Sequence, residues 1–281
     1  MKTILVPTDF SKAADNAAEY AVNLAKAINA KVMLFHVYHM PVSVASETMV
    51  FDMNLDDLQK AKEEHLNTQS ENLRSKSGVT VNYKAMMGLA VDDILHESKD
   101  AYILVMGMRG ADLVSEVLVG SITTDIIKKS KVPVLAIPDG VAFKKAERIA
   151  FACDYNPQTD LHALNALKSF AKTFNATIDI VNVKKNDEMV TMEEAIAGVK
   201  VEDKLEGVAH MYHFPQNDNK VDGINNFVKE HHSDMVAIIP HHYTMLENLF
   251  HTSVTKKMAF HTDVPMLTLP DNHKTVAAYF L

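Results

Sequence analysis

Three glycines and their neighbours set what chemistry this chain can perform. Gly107-Met108-Arg109-Gly110 is followed after nine residues by Gly120-Ser121-Ile122-Thr123, a G-x-x-G-x9-G-[ST] spacing. Glycine lets backbone N–H groups approach oxygens that a β-carbon would hold off, and a Gly-Ser pair opening a helix presents unpaired amides at the positive end of the dipole. The pattern reads as an anion cradle suited to phosphates. Ser121 and Thr123 add hydroxyl donors, and Arg109 supplies compensating charge. Glycines at a strand-to-helix turn can also serve the backbone alone, so the reading rests on all three together with a second loop, Pro7-Thr8-Asp9, that ends the first apolar run. Asp9 is also the residue type that forms turns and caps. The side chains of Met108 and Arg109, at the non-glycine positions, are expected to face solvent.

Rival chemistries lack their signatures. The chain has no G-x-x-x-x-G-K-[ST], no G-x-G-x-x-G after a strand and no G-x-S-x-G elbow. No nucleophile stands in a recognisable pattern with a base, so no catalytic residue is assigned. A net charge of -8 and a pI near 5.9 disfavour a nucleic-acid partner, which would demand a basic face. No apolar run reaches membrane-spanning length, and the start MKTILVPTDF lacks a leader's long apolar segment, so a cytoplasmic protein is expected. The single Cys153 has no internal disulfide partner.

Positioning such loops requires a βα framework, and the periodicity supplies one. Apolar runs at Thr3–Val6, Lys31–Val37, Val79–Met86, Tyr102–Met106 and Val134–Ile137 alternate with helical patterns. In the first helix Ala14, Ala17, Ala18, Ala21, Leu24, Ala25 and Ile28 form one stripe behind a Ser11 cap. The alternation then restarts. Ile4–Phe10 (ILVPTDF) matches Ile149–Tyr155 (IAFACDY), Asn29-Ala30 matches Asn175-Ala176, and Lys131–Pro138 matches Asp263–Pro270. The expected fold is therefore α/β: two tandem doubly wound domains, residues 1–139 and 148–281, each a five-stranded parallel sheet with flanking helices, joined by a charged linker.

Taken together, these motifs resemble the ATP-binding branch of the universal stress protein family, over all of the first domain and more loosely over the whole chain. The resemblance implies that Asp9 and Val37 hold adenine, and that Pro7, Thr8, Gly107, Gly110, Gly120, Ser121 and Ile122 hold ribose and phosphates. It implies ATP as the ligand, with Mg²⁺ accompanying the triphosphate. It also implies association through the last strand of each domain, here Val132–Ile137 and Val264–Leu269, as a pseudo-dimer within one chain; homodimerisation through other surfaces stays open. One departure is Gly88-Leu89-Ala90, where a family proline is missing at the helix entry.

Aligning the final strands carries Gly107, Gly110, Gly120 and Ser121 onto Ile239, His242, Thr252 and Ser253, so the second domain is expected to lack an ATP site of the first kind. Ten of fourteen histidines fall there, including His231, His232, His241, His242, His251 and His261, without HEXXH or Cys/His ligand spacing. No metal site is assigned. Met40–Met53 is read as a lid or a packed loop. The functional expectation is a nucleotide-responsive stress or signalling regulator with little or no hydrolysis. A nucleotide-independent dimeric scaffold whose second domain binds metal or a partner is the first alternative, and a nucleotidyl- or phosphoryl-transfer enzyme, self-modifying on Ser121 or Thr123, is the second.

Overall fold

The computed structural model describes residues 1–39, 55–108, 121–155, 161–185, 188–240 and 262–270. In the first half β1 (Thr3–Pro7), α1 (Lys12–Ile28), β2 (Lys31–Tyr38), α2 (Leu55–Ser77), β3 (Val81–Met87), α3 (Ala90–Glu97), β4 (Ile103–Gly107), α4 (Ser121–Lys129) and β5 (Val134–Ile137) follow one another. The second half repeats the alternation with β6 (Arg148–Ala152), α5 (Ala163–Phe174), β7 (Thr177–Val181), α6 (Met192–Leu205), β8 (His210–His213), α7 (Lys220–Glu230), β9 (Met235–Ile238) and β10 (Met266–Thr268).

Local chemistry accounts for the helix ends. Ser11 Oγ accepts from the Ala14 amide at 3.3 Å and starts α1, whose buried face is the alanine stripe together with Leu24. Asn29 stops it in the left-handed conformation at φ 53°, and Asn175 stops α5 in the same way at φ 54°. Asparagine tolerates that region better than most residues, which is why both copies keep it. In the charged helix α2, Leu66 and Leu73 are buried.

All described strands join one sheet in the order β3-β2-β1-β4-β5-β10-β9-β6-β7-β8. Every neighbouring pair is parallel except the central one, where β5 and β10 run antiparallel with Leu135 opposite Leu267. The Thr268 hydroxyl donates to the Val134 carbonyl at 3.2 Å across this seam. Each half thereby covers the apolar strand edge of the other, the pairing within one chain that the sequence suggested. One apolar cluster runs through both halves, from Ile4 and Leu135 to Phe151 and Leu267.

Because the seam is antiparallel, β5 ends on the rim of the sheet where β6 begins. The connection has only to pass β10 and β9, about 14 Å at normal strand spacing. It is a fitted strap rather than a loose linker. The Asn16 amide donates to the carbonyls of Pro138 (3.1 Å) and Val141 (3.3 Å), and Phe143 sits between Tyr20 of α1 and Phe174 of α5, with ring centroids 5.2 and 6.5 Å away. Asp234 anchors the far end, accepting from Lys144 Nζ at 2.6 Å and from the amides of Glu147 (2.8 Å) and Arg148 (3.0 Å). Burial pushes the Asp234 carboxyl up, but these hydrogen bonds outweigh it and hold the group below its ordinary range.

Candidate functional site

The first loop is built at the end of β1. Pro7 and Thr8 are buried while Asp9 is exposed. The Thr8 amide donates to the Phe35 carbonyl at 2.9 Å, and its hydroxyl accepts from the Phe10 amide at 3.1 Å. Asp9 Oδ1 accepts from the Ser11 amide at 3.0 Å, so one carboxylate oxygen shapes the turn. Asp9 is otherwise open to solvent. Phe10 adopts φ 62°, a region bulky side chains seldom enter, and such strain gathers at functional sites.

Two residues that sequence reasoning missed support this loop. His36 is buried, and its Nδ1–H donates to the Thr8 carbonyl at 2.7 Å. Its Nε2 is buried without a hydrogen-bond partner. Burial lowers the imidazole pKa against the opposing pull of that carbonyl, which keeps the ring neutral. Phe10 lies 4.4 Å from His36 and stacks on His65 of α2 at 4.0 Å, with the ring planes 7° apart. A cleft of about 280 Å³ opens beside this stack, lined by Asp15, His65 and Gln69 among others. One signal was legible: the repeat aligns Phe10 with Tyr155, which also has positive φ, at 48°. Val37, the other expected base contact, is half-buried against the opposite cluster of the sheet.

The second loop leaves β4, the neighbour of β1. A β-carbon at Gly107 would lie 2.4 Å from the Ala13 carbonyl oxygen and 2.6 Å from its carbon. Close packing of α1 therefore requires this glycine, whatever the loop binds. Met108 does not face solvent as expected: it is buried in the core cluster beside Ile126 and Ala136, and its amide donates to Ile137 at 2.7 Å. A long apolar side chain directly after a central strand gains more from that burial than from exposure. Ser121 opens α4, whose first amides have no intrahelical acceptors, and Ile122 beside it is exposed. Thr123 is buried, and its hydroxyl donates to the Gly107 carbonyl at 3.3 Å, tying α4 to β4. Arg109, Gly110, Gly120 and the Met40–Met53 segment lie outside the described residues.

The second half repeats the support and alters the crevice. Asn182 occupies the place of His36, donating from Nδ2 to the Cys153 carbonyl at 2.8 Å and leaving Oδ1 buried without a partner. Val183, the counterpart of half-open Val37, is buried against α7, where a β-carbon at Gly223 would come within 2.6 Å of its Cγ1. Lys184 is buried and paired with Glu194 at 2.6 Å. Ile239 fills the position of Gly107 and joins the core. Burial raises the Cys153 thiol to about 12, so it carries no thiolate near neutrality. His242, Thr252 and Ser253 lie outside the described residues, as do His241, His251 and His261. Among the described residues no group of three or more His, Cys, Asp or Glu is arranged to hold a metal ion.

Two polar features lie away from these loops. Fully buried Asp179 accepts from Nε and Nη2 of Arg148 at 2.9 to 3.0 Å and pairs with His213 Nε2 at 2.9 Å. A cleft of about 470 Å³ lies at the seam between the strap and the end of α7, lined by Tyr20, Lys144, Lys229, Ser233 and Asp263 among others.

A continuous, mostly parallel sheet with helices on both faces, in which strand order reverses between β1 and β4, defines a tandem doubly wound α/β protein. Residues 1–138 match the model of the Universal stress protein family, and this half of the chain belongs to that family. Universal stress protein MJ0577 of Methanocaldococcus jannaschii is 29% identical over 153 residues, 48% of this chain and 94% of its own. MJ0531 of the same organism is 27% identical over 138 residues, 48% of this chain and 81% of its own. The fold of both halves recurs in a universal stress protein from Archaeoglobus fulgidus, with a TM-score of 0.73 at 20% identity, covering 95% of this chain and 98% of that one. No helix among the described residues is long and apolar enough to cross a membrane.

Proposed function

We propose that the first half binds ATP and that occupancy, rather than turnover, is its output: a nucleotide-responsive stress or signalling regulator of the cytoplasm. The observation that carries this reading is the reversal of strand order between β1 and β4. Doubly wound sheets bind ligands at such a switch point, and α1 and α4, the helices that follow β1 and β4, pack on opposite faces of the sheet. In this reading residues 1–139 and 148–281 are the two domain repeats, sharing one core.

The residues present fit a nucleotide in kind. Asp9 offers an exposed acceptor for the base, beside half-open Val37, while Pro7 and Thr8 shape the wall next to the ribose. Gly110, Gly120, Ser121 and Ile122 would surround the phosphates at the start of α4, with Arg109 balancing charge and Mg²⁺ arriving with the triphosphate. Gly107, Met108 and Thr123 act from behind, locking α1, β4 and α4 together. His36 is buried with its Nδ1–H on the Thr8 carbonyl, which holds the loop.

The test is isothermal titration calorimetry with ATP on the full chain. Asp9→Ala combined with Gly120→Val should abolish binding while the circular dichroism spectrum stays unchanged. Unaltered affinity would sink the assignment.

A further inference from the structure

Over its first two turns helix α6 is apolar on two sides, and exposed Asp203 closes the outward one. Ala197, Val201 and Leu205 are buried against the protein. The opposite side carries Met192 at 80%, Ile196 at 54% and Val199 at 62% exposure, with exposed Ala195 between them and Met189 just before the helix at 84%. At 100° per residue, positions 192, 195, 196 and 199 fall within an arc of about 100°, the width of a core-facing stripe. The repeat shows that the fold does not require this. Helix α2 holds the same place between β2 and β3 and exposes no large apolar side chain among its described positions. A contiguous stripe of this kind on a soluble helix marks an interface.

We infer that this face binds the same face of a second copy of the chain, with the two α6 helices antiparallel about a two-fold axis. The charges beside the stripe favour this occupant. Glu193 and Lys200 are both exposed on one flank, seven residues apart and so only about 20° apart around the helix. A two-fold axis perpendicular to both helices sets that flank of one copy beside the same flank of the other, running in the opposite direction. Glu193 of each copy then meets Lys200 of the other, and the surface complements itself as an isologous contact must. A contact centred on one 14-residue helix is small for an interface, so the dimer is weak and its population depends on concentration.

Sedimentation velocity of the full chain over a wide concentration range tests this. The wild type should rise from its 31.2 kDa monomer toward twice that mass. Ile196→Glu with Val199→Glu should remain monomeric at every concentration. Glu193→Lys and Lys200→Glu should each be monomeric alone, yet an equal mixture should form heterodimers, and the double variant should dimerise again. These surface changes should leave the circular dichroism spectrum intact, and the charge variants decide the matter if the apolar pair unfolds. A wild type that stays at 31.2 kDa overturns the inference, as does dimerisation undiminished by Ile196→Glu with Val199→Glu. A mixture of the two charge variants that stays monomeric while the wild type dimerises overturns it as well.

Discussion

Gly107→Ala separates packing from ligand binding at the centre of the first crevice. The new β-carbon would meet the Ala13 carbonyl oxygen at 2.4 Å and its carbon at 2.6 Å, whereas ordinary contacts begin near 3.4 Å. The obstacle is backbone in the first turn of α1, so no rotamer change relieves it. Either α1 or the end of β4 must move by most of an ångström. Overpacking of this kind costs about 1 to 3 kcal/mol. With an unfolding entropy of about 2.1 cal/mol/K per residue, a chain of 281 residues should lose about 2 to 5 °C in melting temperature. Differential scanning calorimetry without nucleotide is the assay. Ala13→Gly in the same chain should not rescue, because the Ala13 β-carbon at 3.1 Å is only the third-nearest atom. A melting temperature unchanged by Gly107→Ala, or full rescue by Ala13→Gly, would refute the reasoning.

Three further outcomes follow from the geometry. The buried His36 imidazole has a lowered pKa, so the unfolded chain takes up the proton first; its contribution to stability is complete above about pH 6.5 and is lost as pH falls below it. His36→Gln should flatten the pH dependence of urea-unfolding free energy just below pH 6.5, and an identical profile would contradict the assignment. At the Asp179 cluster, Arg148→Ala should cost about 3 to 5 kcal/mol in chemical denaturation because it leaves a fully buried carboxylate with the His213 ring as its remaining side-chain partner. Asp179→Ala should cost less, since the Arg148 side chain is 37% exposed and can turn to water; the reverse order would count against this account. Phe143→Ala in the strap should destabilise by about 2 to 3 kcal/mol, below the range for a fully buried ring, and a loss under 1 kcal/mol would show that the strap does not bind the halves together.

Most of the framework could be read because its causes are local. The alanine stripe of α1, the Ser11 cap and the paired Asn29 and Asn175 stops each depend on a few neighbouring residues, and the repeat checked them against one another. Features set by residues distant in the chain were harder to see. Gly107 signalled an open backbone, but only the fold shows that Ala13 fills the space. Met108 reads as solvent-facing because it is a non-glycine position of the loop motif, whereas the end of a central strand is enclosed by whatever packs above it. His36 lay unnoticed in an apolar run, and its pairing with Thr8 depends on the register of β1 against β2. The strap read as a linker because its composition is charged, while Phe143 and the lattice of bonds to Asp234 belong to tertiary structure. The exposed stripe on α6 emerges only once the fold shows which side of that helix packs inward.

The antiparallel rung between β5 and β10 makes the molecule two-ended. Every strand of the second half points against those of the first, so the mouth beside Asp9 and the mouth beside Asp154 open on opposite rims. Nothing bound at one can touch, shield or be handed directly to the other. A partner seated on the Asp9 rim would instead meet the strap and the 470 Å³ cleft, because the amino ends of β9 and β10 share that rim. Duplication here did not produce two equivalent doors. It gave one rim in which the first half's crevice adjoins the underside of the second, and another that carries the altered crevice alone.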